Sequence, residues 1–225
     1  MDMYKYETHM HTFPVSKCAH KTVEETLDAY KKKGYDGVFV TNHFLDGNIN
    51  IDPSLSYREK LKFYLSDFEN AVIYGREIKL KVFFGVEMSY HGTDFLVYGL
   101  TPEWYRRHPE IMQMKRSDEL EFLQRAGAFI SQAHPFREAS YIDHIRLFPG
   151  CVDAVEVINA NRTDFENKMA AIYADQYGLL KTAGTDNHLG GKQKRFAGMM
   201  CETPLADEAD FIEKIKDDKM KIFFD

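Results

Sequence analysis

Residues 36–43 read Asp-Gly-Val-Phe-Val-Thr-Asn-His. Asp36–Thr41 is a short apolar, β-branched run of the kind that forms a buried strand, and the chain leaves it through Asn42 directly onto a histidine, His43. The segment before it has the marks of a helix. Thr22-Val-Glu-Glu25 is a capping box, in which a Thr side chain and a Glu side chain each satisfy a free backbone N–H of the first turn, and Gly34 supplies the stop. Further upstream, Met3–Thr8 is another short strand candidate, and His9 and His11 follow it at once.

The same alternation continues downstream. Ser56-Tyr-Arg-Glu59 is a second capping box, opening a long helix with Tyr57, Leu61, Tyr64, Leu65, Phe68 and Val72 on one face. Lys81–Val86 and Asp94–Tyr98 are strand candidates. Pro109 to about Ala126 is helical, with a break expected near Ser117. Ala128–Ala133, Ala154–Ile158 and Leu179–Ala183 are further strands, and Thr163-Asp-Phe-Glu166 caps a helix running to Gly178. Asp207–Asp217 is a last amphipathic helix, and Lys221–Phe224 ends the chain. There is no internal repeat, low-complexity tract or linker-like composition, so residues 1–225 are expected to form one α/β domain around a largely parallel sheet.

Composition sets outer limits. The 225 residues are 44% hydrophobic and 28% charged, enough to bury one core and incompatible with a disordered chain. The net charge of −6 argues against a surface for duplex nucleic acid, while leaving room for a local basic pocket holding one phosphate. Cys18, Cys151 and Cys201 form no C-x-x-C pair and no disulfide framework, which points to a reducing, cytoplasmic setting. The opening MDMYKYETHMH has no apolar core of the signal-peptide type, and no run of 18 apolar residues is present, so no membrane span is expected. Nothing in the sequence specifies an oligomeric state.

The chemistry lies at the strand ends. His9 and His11 follow the first strand, His43 the second and Glu87 the third. His134 follows Ala128–Ala133, and Asp186 and His188 follow Leu179–Ala183. In a β/α barrel the carboxyl ends of the strands open on one face, so these seven imidazole and carboxylate groups would converge on one cavity. Such donors suit Zn²⁺, Mn²⁺ or Fe²⁺. Seven exceed what one catalytic ion takes, and a carboxylate such as Glu87 can bridge two ions, so two or three divalent metals are expected. Any one of these motifs alone would more often be a loop or core residue; the joint placement carries the reading.

The ordered set His9-Met-His11-Thr, Asn42-His43, Gly85-Val-Glu87, Ala133-His134-Pro135 and Gly184-Thr-Asp186-Asn-His188 resembles the PHP (polymerase and histidinol phosphatase) family. That resemblance implies a distorted seven-stranded β/α barrel, a two- or three-metal site and phosphoester hydrolysis. Carried over by position, it implies His9, His11, Glu87 and Asp186 at a first metal, Glu87 and His134 at a second, and His43 and His188 at a third. Two departures stand out. Members commonly carry an acid or histidine shortly after H-x-H, but Thr12–Val23 has no Asp or Glu. His20 either supplies that ligand or is a solvated loop histidine, and Cys18 reads as a small buried residue. Members also often carry a histidine on the strand after the bridging glutamate. Here Asp94 either takes that place or is a turn residue, and His91 reads as a loop tip.

Phosphate needs cationic or backbone donors. Arg137 and Arg195 are the candidates for clamping phosphoryl oxygens, each weighed against a solvated surface arginine, whereas Lys192 and Lys194 read as solvent charges. His108 and His144 lie away from the strand ends and read as non-ligands; Asn159 and Asn161 either hydrogen-bond to ligands or cap a helix. The function expected is hydrolysis of a small phosphomonoester through a metal-activated hydroxide, with Glu87 and Asp186 as principal residues. A histidinol-phosphate phosphatase, an amidohydrolase-like hydrolase and a non-catalytic metal-binding protein are the alternatives, with a nuclease or polymerase-proofreading module disfavoured by the acidic balance.

Overall fold

A computed structural model describes residues 3–225. The elements run β1 (Tyr4–Met10), α1 (Val23–Lys32), β2 (Gly37–Val40), α2 (Tyr57–Ile78), β3 (Lys81–Tyr90), β4 (Thr93–Tyr98), α3 (Pro102–Arg107), α4 (Arg116–Arg125), β5 (Phe129–Ala133), β6 (Ala154–Asn159), α5 (Asp164–Tyr177), β7 (Leu180–Gly184), β8 (Ala197–Cys201), α6 (Glu208–Lys216) and β9 (Lys221–Phe224). The capping boxes at Thr22, Ser56 and Thr163 each open a helix as their chemistry requires. The stretch from Pro109 is a 3₁₀ turn to Gln113, and α4 starts only at Arg116.

One sheet holds nine strands among the described residues, in the order β7-β6-β5-β4-β3-β2-β1-β8-β9. The pairs β1–β2, β2–β3, β5–β6 and β6–β7 are parallel, and β4 runs antiparallel between β3 and β5. The sheet curls until its β7 side returns to β1. Thr8 Oγ1 donates to the Ala183 carbonyl at 2.7 Å, and the N–H groups of Asp186 and His11 donate to the His9 and Asn187 carbonyls. The result is a nearly closed barrel.

The expectation of seven strands is corrected to nine. The extra pair is β8 and β9, which extend the sheet from β1 in antiparallel fashion. Ala197–Cys201 carries two methionines and a glycine rather than a β-branched run, which hides it as a strand. Gly198 makes the pairing possible, because a Cβ there would lie 2.2 Å from the Tyr6 carbonyl oxygen.

The core divides around the barrel wall. Phe211 of α6 packs on Phe39 and Tyr98 with ring centroids 4.5 and 5.3 Å away. Tyr98 pairs with Phe129 at the start of β5, so this packing closes the end of the barrel opposite Ala133 and His134. The other end stays open and polar. No helix among the described residues is long and apolar enough to cross a membrane.

Candidate metal centre

At the open end the strand-end residues meet. β1 runs two residues further than the sequence suggests, to Met10, so Glu7 and His9, two apart, share the inner face of the barrel. His9 Nε2 lies 3.1 Å from Glu87 Oε1 and 3.5 Å from Asp186 Oδ1. His11 Nε2 lies 3.3 Å from Glu87 Oε2 and 3.2 Å from Asp186 Oδ1. His43 Nδ1 is 2.7 Å from Glu87 Oε2, and His134 Nε2 is 3.5 Å from Glu87 Oε1. His188 Nδ1 reaches Asp186 Oδ1 at 3.5 Å. Glu87 therefore sits at the centre, each oxygen facing two imidazoles.

Local structure explains how these groups come so close. A Cβ on Gly184 would fall 2.5 Å from His9 Cβ and 2.9 Å from Glu156 Oε1, so only glycine fits at the end of β7. Asp186 and His134 have left-handed backbone, with φ of 57° and 27°. Such strain in non-glycine residues persists only where surrounding bonds hold it. Asn159 Nδ2 and Asn161 Nδ2 donate to the Asp186 side chain and carbonyl respectively, and the His134 N–H donates to Glu156 Oε2 at 3.1 Å.

The hydrogen bonds also orient the imidazoles. Glu156 Oε1 accepts from His9 Nδ1 at 2.8 Å, which leaves the Nε2 lone pair of His9 facing inward. Ser16 Oγ donates to Asn42 Oδ1 at 2.8 Å, so it accepts from His11 Nδ1 at 3.1 Å. His11 Nε2 therefore faces inward too, 3.2 Å from His9 Nε2. With both imidazoles neutral, two nitrogen lone pairs and two carboxylates converge with no donor between them, and neither Glu87 oxygen has a hydrogen-bond partner. A divalent cation is the group that resolves such a cluster of acceptors. Three donor sets with metal-binding spacing are present among the described residues: His9–Glu87–His134, His9–His11–Asp186 and His11–Cys18–His43–His188.

The charge balance agrees. Burial raises the Glu87 and Asp186 carboxyls, but the surrounding imidazoles, His43 and His9 foremost for the first and His9 and His188 for the second, hold both well below the usual range. Burial lowers His11 to about 3, so its imidazole is neutral and free to ligate. Burial lowers His9 as well, yet Glu156, Asp186 and Glu87 together pull it well above its ordinary value. The folded site demands positive charge, from protons or from metal ions. Burial raises the Cys18 thiol, and hydrogen bonds with His188 and His43 outweigh it and bring it down to about 7.

The other sequence-level candidates divide. Asp94 is buried at the rim, where its Oδ2 accepts from Arg137 Nη2 at 2.7 Å and lies 3.8 Å from His134 Nε2. His20 is exposed, and only its backbone joins the centre, its N–H donating to the His188 carbonyl at 2.9 Å. A turn over Ser16–Ala19 directs Cys18, not His20, toward His43 and His188. Arg195 lies away from the cavity, paired with Asp164 at 3.0 Å and stacked over Phe224. His108 stacks on Trp104, and His144 is exposed.

Three residues were missed: Ser16, which orients His11 from a loop whose turn its sequence does not announce, Glu156 and Arg162. Glu156 anchors His9 and His134 from the middle of β6. Its signal is a lone charge between Val155 and Val157, which pack under α5, so the glutamate must face the barrel interior. Arg162, just after β6, lines the cavity with Arg137. The cavity is about 690 Å³ and its wall also includes Cys18, His43, Asp186 and His188.

No family model matches the chain. No curated protein matches it either. Solved structures do resemble it. A two-domain Bacteroides vulgatus protein containing a predicted PHP-like metal-dependent phosphoesterase aligns at a TM-score of 0.73 and 14% identity, over 99% of this chain and 65% of that one. A Bifidobacterium adolescentis protein assigned as a metal-dependent phosphoesterase aligns at 0.57 and 13%, over 93% and 95%. The lesion-specific endonuclease EndoQ of Pyrococcus furiosus aligns at 0.58 and 13%, over 98% and 58%. The chain thus spans less than two thirds of the first and third of these proteins. Its fold is that of the PHP-like metal-dependent phosphoesterases.

Proposed function

We propose that this chain is a metal-dependent phosphoesterase that hydrolyses a small phosphomonoester at a centre of two or three divalent ions, Zn²⁺, Mn²⁺ or Fe²⁺. The observation that carries the reading is Glu87, buried, with each carboxylate oxygen between two imidazoles and no hydrogen-bond donor of its own. His9, His11, Glu87, His134 and Asp186 would hold two ions, and His11, His43 and His188 border a third position. When bound, such ions lower the pKa of water and neutralise phosphoryl oxygens.

The chain's own residues supply the rest. Arg137 is held by Asp94 Oδ2 at 2.7 Å and by the Gly92 carbonyl at 3.0 Å, and its Nε has no partner. A guanidinium fixed on one edge presents its other N–H groups to phosphoryl oxygens in the bidentate manner. Arg162 Nε is likewise unpartnered on the same cavity wall. Asp94 thus orients Arg137, and Glu156 and Ser16 keep protons on His9 Nδ1 and His11 Nδ1, leaving both Nε2 atoms to ligate. A cavity of about 690 Å³ suits a small molecule. The test is phosphate release from an aryl phosphomonoester with added Mn²⁺ or Zn²⁺, beside the matching diester and an aryl ester of a carboxylic acid. Faster turnover of the monoester supports the reading. Metal binding with turnover of the carboxylic ester alone favours amidohydrolase-like chemistry, and metal binding with no turnover favours a binding protein.

A further inference from the structure

The three cysteines occupy different surroundings. Cys201 is buried in the barrel core among Tyr6, Met199 and Leu205, and Cys151 packs against the cluster that contains Phe95 and Ile130. Cys18 instead lines the polar cavity beside His43 and His188. Its Sγ and one ring nitrogen from each of His11, His43 and His188 all lie within 4.8 Å of one another. The His11 ring stacks between the other two, with centroids 4.5 Å from His43 and 4.6 Å from His188. His11 Nε2 is committed to Glu87 and Asp186, so the ligands of this position are Cys18, His43 and His188; a tetrahedral zinc with ligands at about 2.0–2.3 Å needs donors about 3.3–3.8 Å apart, so a small contraction around an ion brings these three onto it.

The loop that carries Cys18 is fixed on both sides. Ser16 Oγ accepts from the His43 N–H at 3.1 Å and bonds to Asn42 and His11; the Lys17 N–H donates to the Asn48 carbonyl at 2.8 Å. After the cysteine, the Ala19 N–H donates to Ser16 and the His20 N–H to His188. Cys18 is therefore held where its side chain faces His43 and His188.

We infer that Cys18 completes the third cation position as a thiolate ligand, making that position selective for a thiophilic ion such as Zn²⁺. The other two positions offer only imidazole and carboxylate, which accept Mn²⁺ as readily, whereas sulfur favours softer ions. The centre would then be chemically uneven, with one sulfur-bearing position and two of nitrogen and oxygen. This rests on the metal-centre reading above, and its test separates the two. Metal-free protein is loaded with Zn²⁺ or with Mn²⁺ and exposed to iodoacetamide, and each cysteine's labelling rate is read by peptide mass spectrometry. Because the free thiolate is the reacting species, Zn²⁺ should slow Cys18 labelling at least about tenfold, while Mn²⁺ leaves it within about twofold and neither ion changes Cys151. In parallel, equilibrium dialysis of Cys18→Ser should show one Zn²⁺ fewer than wild type and an unchanged Mn²⁺ count. Equal labelling with and without Zn²⁺, equal protection by both ions, or an unchanged Zn²⁺ count in Cys18→Ser overturns the inference while leaving the two-metal reading intact. Wild-type protein that binds no ion overturns both.

Discussion

Replacing Glu156 by Gln removes no ligand from the proposed centre, yet it should weaken metal binding. Glu156 Oε1 accepts from His9 Nδ1 at 2.8 Å, and Oε2 accepts from the His134 N–H at 3.1 Å and Asn159 Nδ2 at 2.9 Å. A glutamine must turn its NH₂ toward one side or the other. Facing Oε2's partners it would meet two donors; facing His9 it meets one. The amide nitrogen therefore settles against His9, whose ring shifts its proton to Nε2 to accept at Nδ1. That proton then occupies the lone pair aimed at Glu87 and Asp186. Losing such an orienting contact typically costs about 10–100-fold in metal affinity, or about 1.4–2.8 kcal/mol. The assay is competition with a chromophoric chelator for Zn²⁺ and Mn²⁺ at pH 7.5, with His108→Ala as control, since surface changes away from the site usually cost little. Glu156→Gln with wild-type affinity would refute the orientation argument, because the hydrogen bond to Nδ1 would then have no hold on Nε2.

Arg137→Ala should raise KM for an aryl phosphate by about tenfold or more, the loss of a charge-assisted contact, whereas Arg195→Ala should leave kcat and KM within about twofold. The reverse pattern in steady-state kinetics would move the anion site to the Arg195 side. The buried Glu7 carboxyl is pushed from its ordinary 4.5 up to about 7 by desolvation, against hydrogen bonds from Thr185 and His9. Its folded-state pKa is raised, so the neutral acid's contribution to stability is whole below about pH 4.5 and is lost as pH rises through 7. Glu7→Gln, which can keep both backbone hydrogen bonds, should gain on wild type by up to about 3 kcal/mol between pH 4.5 and 8 in urea melts of chelator-treated protein. A pH-independent difference would show that Glu7 titrates normally. Zn²⁺ uptake should release protons, because His9 is pulled up toward protonation by its carboxylate neighbours; calorimetry in buffers of different ionisation enthalpy reads this directly.

Much of this was legible in the chain, and the parts that were not share a cause. Strand ends announce themselves, because an apolar β-branched run that stops on His or Glu is read from consecutive residues. Asp36–Thr41 before His43 and Lys81–Val86 before Glu87 are such cases. The capping boxes are equally local. What stayed hidden depends on contacts distant in sequence. Whether Cys18 or His20 faces the centre is settled by the turn at Ser16–Ala19 and by bonds to Asn48 and His188. Glu156 looks like an ordinary strand residue until β6 is placed with helix on one side and barrel interior on the other. Strand β8 owes its existence to the close approach of Gly198 to Tyr6 rather than to propensity. Arg195 reads as an anion contact in the sequence because its pairing with Asp164 and its stacking over Phe224 join it to residues distant in sequence.

The bridging role of Glu87 is the point on which the whole reading turns. Elemental analysis of ions retained per chain, for wild type and Glu87→Gln after identical loading and desalting, tests it most directly. Glutamine keeps the shape but offers one acceptor oxygen and no charge. Wild type should retain at least two equivalents of divalent metal and Glu87→Gln at least one fewer, with phosphatase activity lower by about 10²-fold or more. An unchanged metal count in Glu87→Gln would contradict a centre built around that carboxylate.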